Sequence, residues 1–394
     1  MPAQGPIQHI VLIIKENHTF DNYFGSFAGA NGATMAHSPN PPTISPSNNH
    51  KAWLNRATSA VRQQYLESDI PTYFAYAQQF TLCDNYFTDV ASQSTPNHLM
   101  LIAADSPVID NIPSGSTQTF NIPSLPANLQ QAGLTWSNYG GYAFSYIQGL
   151  AGKPELPSTQ FVTDAAAGKL PAVSWVYAPS GSSEHPKDNV TTGMQWTVDQ
   201  VNAIVQGGLW PQTAIFITWD DWGGYYDHVT PPEVETWTDG TQFRYGSRVG
   251  CLVLSPYAKG GYISTTQYSH VSLVKFCENT LGLPTLTTRD AAADGMADCF
   301  DFTQKPAPPP AAGKTVPPHT PPSAPKVKPK PAPKPKPKPK PKPAPKPKPK
   351  PKPAPKPKSK SGPRSKTKTK PSVKHKKAQT RKRKAGGKSG KRSR

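Results

Sequence analysis

Two adjacent carboxylates, Asp220 and Asp221, end the apolar run Ala214 to Thr218 in the stretch TAIFITWDDWGGYYDHVTPP. Gly223 and Gly224 break the run, and Asp227 and His228 follow at once. Side-by-side acids repel unless a proton or a cation lies between them, and hard oxygen donors suit a hard cation. An acidic turn uses the same residue types, but the Asp-His pair that follows favours a site. Three more stretches offer compatible chemistry. Glu16 and Asn17 follow the run IQHIVLII, Ser94 and Thr95 precede Pro96 in ASQSTPNH, and His185 lies in SGSSEHP. Together they supply oxygen ligands, a hydroxyl nucleophile and histidines for proton transfer, the components of metal-assisted phosphoryl transfer.

Each group must be delivered by an element. Ile7 to Ile14, Ala172 to Tyr177, Ala214 to Thr218 and Val249 to Ser255 are short, apolar and β-rich, so each reads as a buried strand. Ala57 to Gln79 reads as helical with a break near Pro71, and residues 33–57 and 105–160 read as loop-rich. Leu99, Met100, Ile102 and Ala103 form an apolar helix face. Pro96 suits the first helical position, which makes Thr95 the expected N-cap. The free N–H groups of such a helix start favour an anion. Met194 to Val205 has helical spacing up to Gly207, and His270 to Leu281 up to Gly282. Strands alternating with helices predict an α/β fold with a mostly parallel sheet, whose ligands bind beyond the carboxyl ends of the strands.

The charge is split between two unlike parts. Of 44 Lys and Arg, twelve lie before residue 304 together with all 24 Asp and Glu, leaving a body of net −12 and a tail with 32 positive charges and no acid. The body, residues 1–303, is long enough for a substantial core. Residues 304–394 form a Lys/Pro-rich basic tail that cannot build a core, so disorder is expected there. Its expected partners are polyanions: nucleic acid, a wall polymer or an anionic membrane surface. Cys83, Cys251, Cys277 and Cys299 lack zinc or CxxC spacing and are expected to be buried thiols. No run approaches the roughly 18 apolar residues of a membrane span, and no signal peptide is evident. As written, the chain is expected to be soluble and cytoplasmic, with export requiring a leader.

The motifs also resemble a known family. IQHIVLIIKENHTFDNYFG, SQSTPNHLMLIAA, VSWVYAPSGSSEHP, ITWDDWGGYYDHVTPP and RVGCLVLSPYAKGGYISTTQYSHVSLVKFCENTLGLP, in that order, resemble segments of the bacterial phosphoesterases that include phosphatidylcholine-type phospholipases C and acid phosphatases. The resemblance implies an alkaline-phosphatase-like central sheet flanked by helices. It also implies a divalent metal ion, of unspecified identity, held by Glu16, Asn17, Asp220 and Asp221. Ser94 falls on the family nucleophile, with Thr95 as the neighbouring alternative. His185 and His228 would contact phosphate or assist the leaving group, and Asn97, His98 and Asp227 would lie beside the substrate. The family's Gly-Pro-Thr reads Ser92-Gln93-Ser94 here, and its Arg after Pro-Asn reads His98. A lost guanidinium removes a bidentate phosphate clamp. For His98 and His270 a structural histidine is an equal alternative. Asp21 and Asp227 are expected to support ligands or histidines, and Trp219 and Trp222 to wall the pocket.

The resulting expectation is a metal-dependent phosphoesterase acting through a Ser or Thr phosphoenzyme on a phosphate-ester substrate. A phosphomonoesterase is favoured, with a phospholipase C as the alternative. A reading of another class is a polyanion-binding protein on an inactive phosphoesterase scaffold.

Overall fold

The computed structural model describes residues 5–153 and 155–311. Most of the tail, residues 312–394, therefore lies outside the described residues. Gln304 and Ala307, which composition assigns to the tail, are bonded to the body. The Gln304 amide donates to Pro256 O and Ala258 O, both at 2.9 Å, Ala307 N–H donates to Pro256 O at 2.7 Å, and the Trp210 indole donates to Ala307 O at 3.0 Å.

Seven strands form the main sheet: β1 (His9–Lys15), β2 (Thr81–Cys83), β3 (Trp136–Tyr139), β4 (Val173–Tyr177), β5 (Thr213–Trp219), β6 (Cys251–Leu254) and β7 (Tyr262–Ser264). Their spatial order is β7-β2-β6-β5-β1-β4-β3. Only β6 runs antiparallel to its neighbours in this sheet. β1 and β5 are central, and a strand covered on both faces by protein reads as continuous Ile, Val and Phe rather than as an alternation. Every residue of β5 is buried, as are all of β1 except His9. The register pairs Ile14 with Tyr177 of β4 and Lys15 with Trp219 of β5. Three loops therefore leave the same edge of the sheet side by side.

Helices position the rest. α1 (Phe20–Phe24) follows the first loop, α2 (Pro71–Gln79) precedes β2, α3 (Ser94–Ala103) carries the hydroxyls, α4 (Val190–Gln206) links β4 to β5, and α5 (His270–Leu281) closes on Gly282 in the left-handed region. Two helical expectations are corrected. Between Ala57 and Gln79 only the ends are helical, because the chain crosses the surface through a two-residue strand, Gln63–Gln64, that pairs with Ala36–His37. The cap of α3 is Gln93, not Thr95, so Ser94 occupies the first turn. The four cysteines are buried and free.

α5 buries an acid with no counterpart in the site chemistry. Glu278 is 1% exposed, and neither carboxylate oxygen has a hydrogen-bond partner among the described residues. Burial, then the neighbouring Asp290, pushes its carboxyl up to about 8. A raised acid contributes stability below its unfolded value and loses that contribution as pH rises through the folded value. Stability from Glu278 therefore falls between about pH 4.5 and about 8. Glu278→Gln is expected to raise Tm relative to the parent at pH 8.5 and to leave it unchanged at pH 4. Equal differences at both values, measured by calorimetry, would refute this.

Candidate active site

The loops after β1, β4 and β5 are bonded to one another by backbone. Asp220 N–H donates to Lys15 O at 2.9 Å, Glu16 N–H donates to Ser183 O at 2.9 Å, and Asn17 N–H donates to Asp220 Oδ1 at 2.9 Å. Asn17 takes a left-handed conformation, φ 67°, which Asn tolerates better than most residues. Gly223 also has positive φ, and a Cβ there would lie 2.0 Å from Asn17 O. Only glycine lets the acidic loop pass this close to the first one.

Beneath the edge lies a buried ion pair. Lys15 Nζ is 3.2 Å from Glu184 Oε1, and both side chains are fully buried. Glu184 also accepts hydrogen bonds from Tyr23 Oη at 2.8 Å, Tyr73 Oη at 2.7 Å and Trp219 Nε1 at 2.9 Å. With its remaining donors satisfied by Ser182 O and Gly193 O, Lys15 locks the end of β1 to the loop that bears His185. Trp219 is thus a support under the edge rather than a wall of the site.

Above this base, Ser94 meets the acids. Its Oγ donates to Asp221 Oδ2 at 3.0 Å. Asp221 also accepts from Gly223 N–H at 2.7 Å and from the Asn48 amide at 3.1 Å on each oxygen. Asp220 Oδ2 lies 3.2 Å from His98 Nε2. Burial, then the charge of Asp220, raises the Asp221 carboxyl well above its usual range. Burial, then Asp220 and Asp188, pushes Glu16 up to about 8 against the pull of Lys15. Asp220 itself is held low: burial opposes this, but the adjacent His98 imidazole and the Asn17 N–H outweigh it. Asn17 Oδ1 and Asp220 Oδ2 are buried acceptors with no donor among the described residues. Acceptors without donors, beside acids that resist ionisation, fit a divalent cation, which Glu16, Asn17, Asp220 and Asp221 would hold.

The other expected residues have separate surroundings. Thr95 lies next to Ser94, but its hydroxyl meets Tyr142 Oη at 3.0 Å rather than capping N–H groups. Asn97 is committed to backbone, accepting from Val90 N–H and donating to Val90 O and Gln93 O. His185 is exposed on its loop, with Nδ1 3.2 Å from Pro186 O. His270 bridges Tyr86 Oη and Asp220 O and so is structural.

Asp227 and His228 join a second cluster with Asp21. His228 Nδ1 is 2.7 Å from Asp21 Oδ2, and Asp21 N–H donates to Asp227 Oδ2 at 3.0 Å. Ligand atoms of these three residues lie within 4.8 Å of one another. However, buried Arg248 donates to Asp21 Oδ1 at 3.0 Å and to Asp227 Oδ1 at 3.1 Å, so its single positive charge offsets one of the two carboxylates, and burial still pushes the Asp227 carboxyl up to about 6. No hydrogen bond or ion pair among the described residues joins Asp227 or His228 to Ser94, Asp220 or Asp221. A cavity of about 260 Å³ beside them is lined by Arg56, Arg62, Tyr226 and Thr230, but not by the Ser94 group. Arg248→Met is expected to destabilise the protein by ~3–5 kcal/mol, because it leaves two buried carboxylates uncompensated. Denaturant unfolding tests this, and a loss under about 1 kcal/mol would deny Arg248 that role.

Asn48, Tyr142, Arg248 and the Lys15–Glu184 pair were not marked as site-forming by any spacing. Asn48 lies in a Pro/Asn/Ser-rich stretch that reads as surface, yet this stretch folds back so that Asn48 O accepts from the Trp222 indole at 2.8 Å. Such returns carry no periodicity.

The Ser94 hydroxyl, bonded to an acid at the carboxyl end of β5, thus lies among further acids at one edge of the sheet. The sequence model of the phosphoesterase family matches residues 7–45 and 37–284, and the chain belongs to that family. It is 26% identical over 411 residues to phospholipase C B of Mycobacterium tuberculosis, covering 77% of this chain and 79% of that one. It is 27% identical over 421 residues to the non-hemolytic phospholipase C of Burkholderia pseudomallei, covering 75% of this chain and 59% of the relative. Among solved structures, murine ectonucleotide pyrophosphatase/phosphodiesterase 5 aligns with a TM-score of 0.43 at 8% identity, covering 75% of this chain and all of that one.

Proposed function

We propose that the chain cleaves phosphate esters by transferring the phosphoryl group to Ser94 Oγ. The carrying observation is the 3.0 Å hydrogen bond from Ser94 Oγ to Asp221 Oδ2 within the acid cluster. Asp221 takes the hydroxyl proton as the Oγ–P bond forms and the ester P–O bond breaks. Its Oδ2, 3.0 Å from Ser94 Oγ, is placed to receive that proton. His185, exposed on the adjoining loop, is the candidate donor to the leaving oxygen. Water then cleaves the Oγ–P bond and restores the serine. A divalent cation held by Glu16, Asn17, Asp220 and Asp221 would neutralise these acids and draw charge from the phosphate oxygens. Retention of that whole set argues against an inactive scaffold. Turnover of p-nitrophenyl phosphate or p-nitrophenylphosphorylcholine that chelator removes and added metal restores would support this reading. Turnover indifferent to chelator would remove the metal from it.

For the substrate, the sequence favours a phosphomonoester, whereas similarity to phospholipases C over about three quarters of the chain supports a phospholipid diester. We favour the diester. Release of diacylglycerol from phosphatidylcholine vesicles at a higher kcat/KM than phosphate from p-nitrophenyl phosphate would support it, and the reverse order would return the choice to a monoesterase.

The tail is proposed as a separate binding element. Its 32 positive charges carry no aromatic residue between them beyond His319 and His375, so base stacking is absent and recognition should lack sequence preference. The full chain is expected to retard DNA at low salt, with each neutralised phosphate adding about 0.9 to the log–log salt slope. A chain ending at residue 311 should not retard DNA and should keep the same kcat on a small soluble substrate. Salt-insensitive binding, or lost turnover on truncation, would contradict this.

A further inference from the structure

The arginines before residue 304 are Arg56, Arg62, Arg244, Arg248 and Arg289. Three of them are paired with acids: Arg244 with Asp89 at 2.6 Å, Arg248 with Asp21 at 3.0 Å and Arg289 with Glu235 at 2.6 Å. Arg56 and Arg62 have no carboxylate partner among the described residues. Each donates one hydrogen bond to a backbone carbonyl, Arg56 Nη1 to Trp53 O at 3.1 Å and Arg62 Nη2 to Ala57 O at 3.4 Å. A guanidinium has five N–H donors, so most of theirs are unspent. Burial holds Arg56 below the usual guanidinium range, with no acid to offset it. Both unpaired arginines line the same cavity, the one of about 260 Å³ beside Asp227 and His228.

Both guanidiniums are held in place by stacking. Arg56 Cζ lies 3.4 Å from the Trp53 ring centroid and Arg62 Cζ 3.5 Å from that of Tyr226. Stacking orients the planar fork and leaves its edge for an oxyanion. The segment bearing Arg62 is fixed by backbone to the loop that follows Asp221: Val61 N–H donates to Gly224 O at 2.9 Å, and Tyr226 N–H donates to Val61 O at 3.0 Å. Tyr226 and Thr230 add hydroxyl-bearing side chains to the lining.

The acid in the lining is already engaged. Asp227 Oδ1 accepts from Arg248 Nε and Val229 N–H, and Oδ2 from Asp21 N–H. With Arg248 included, three guanidiniums stand against the two carboxylates of Asp21 and Asp227, which leaves the surroundings cationic within a body of net −12. The volume is below the roughly 300–1,000 Å³ of sites for whole drug-sized ligands, so a small group fits. Donors converging from two forks and two hydroxyls suit a tetrahedral oxyanion better than a planar carboxylate.

We propose that the cavity between Arg56 and Arg62 is a binding site for a phosphoryl group, separate from the Ser94 cluster. Free phosphate and the headgroup of a lipid share this chemistry. Leu54, 44% exposed, also lines the cavity and would meet the chain of a lipid. The site goes beyond the proposed reaction and would stand even if Ser94 were not the nucleophile.

The test follows the Nε–H signals of the full chain labelled with ¹⁵N-arginine. The Arg56 and Arg62 signals are those missing from Arg56→Lys and Arg62→Lys. Inorganic phosphate at constant ionic strength should shift both signals along one saturating curve, and chloride should not. Lysine keeps the charge but loses the fork, so each variant should weaken binding about tenfold at the arginine that remains. Turnover of p-nitrophenyl phosphate should stay as in the parent. Hexylphosphonate, whose C–P bond is not an ester, separates the two sources: tighter binding than phosphate assigns the site to a lipid headgroup, and weaker binding to free phosphate. Signals that do not saturate, or that move equally with chloride, overturn the proposal in the parent protein whether or not the variants fold. Unweakened binding at the remaining arginine overturns the shared site, and lost turnover in the folded variants overturns its separation from Ser94.

Discussion

Asp221→Asn is expected to lower phosphoesterase turnover by at least ~10³-fold, on the scale of losing a group that acts in the reacting unit, while the fold survives. Asp221 accepts four hydrogen bonds, from Ser94, Gly223 and both lone-pair sides of the Asn48 contact. Asparagine keeps the shape but turns one acceptor into a donor, which then faces donors. It can neither receive the serine proton nor supply a full negative charge to a cation. Stability is a different matter. Asp221 is fully buried beside Asp220, so its charge is costly in the metal-free protein. Removing that charge should leave Tm of the chelated protein unchanged or higher. The two readouts thus move apart, and a variant retaining kcat within tenfold, with metal bound, would sink the role given to Asp221.

The second large effect is at the nucleophile. Ser94→Ala should abolish the phosphoenzyme and cost a comparable factor in kcat, because no other hydroxyl is bonded to the acid cluster among the described residues. Thr95→Ala should be mild. Its hydroxyl is spent on Tyr142 at 3.0 Å, so Tyr142→Phe and Thr95→Ala should have similar, small effects on stability, each on the order of 1 kcal/mol. Acid quenching during turnover followed by peptide mass spectrometry locates the phosphate. Phosphate on Thr95 would show that the neighbouring hydroxyl is the nucleophile.

The parts legible in the sequence are those set by short-range physics. β1, β4 and β5 were legible because strands buried on both faces are continuous apolar runs, and the acids at their ends followed from the α/β rule on strand termini. α5 matched at both ends because Gly282 could stop it in the left-handed region. What failed depended on contacts across the chain. Gln93 caps α3 although Thr95 has the better capping side chain, because Asn111 Oδ1 already takes the Thr95 N–H at 2.7 Å. Asp227 follows Asp221 closely in sequence, but the two glycines turn the chain and Arg248 draws Asp227 to Asp21. Neither Arg248 nor Asn48 has a local pattern that announces a partner about 20 or more residues away.

The reversed strand β6 decides which side of the body the described chain ends on. Cys251 pairs with Thr218 and Leu254 with Ile215, so β6 descends toward the amino ends of its neighbours. Pro256, just beyond it, receives Ala307, and Trp210, just before β5, receives the same residue. The chain thus reaches residue 311 from the edge of the sheet opposite Asp220 and Asp221. A strand the length of β5 separates the two edges, roughly 20 Å at about 3.3 Å per residue. A label attached at residue 311 would therefore sit on the side of the body away from Ser94, and attaching it there should leave turnover of a small soluble substrate unchanged.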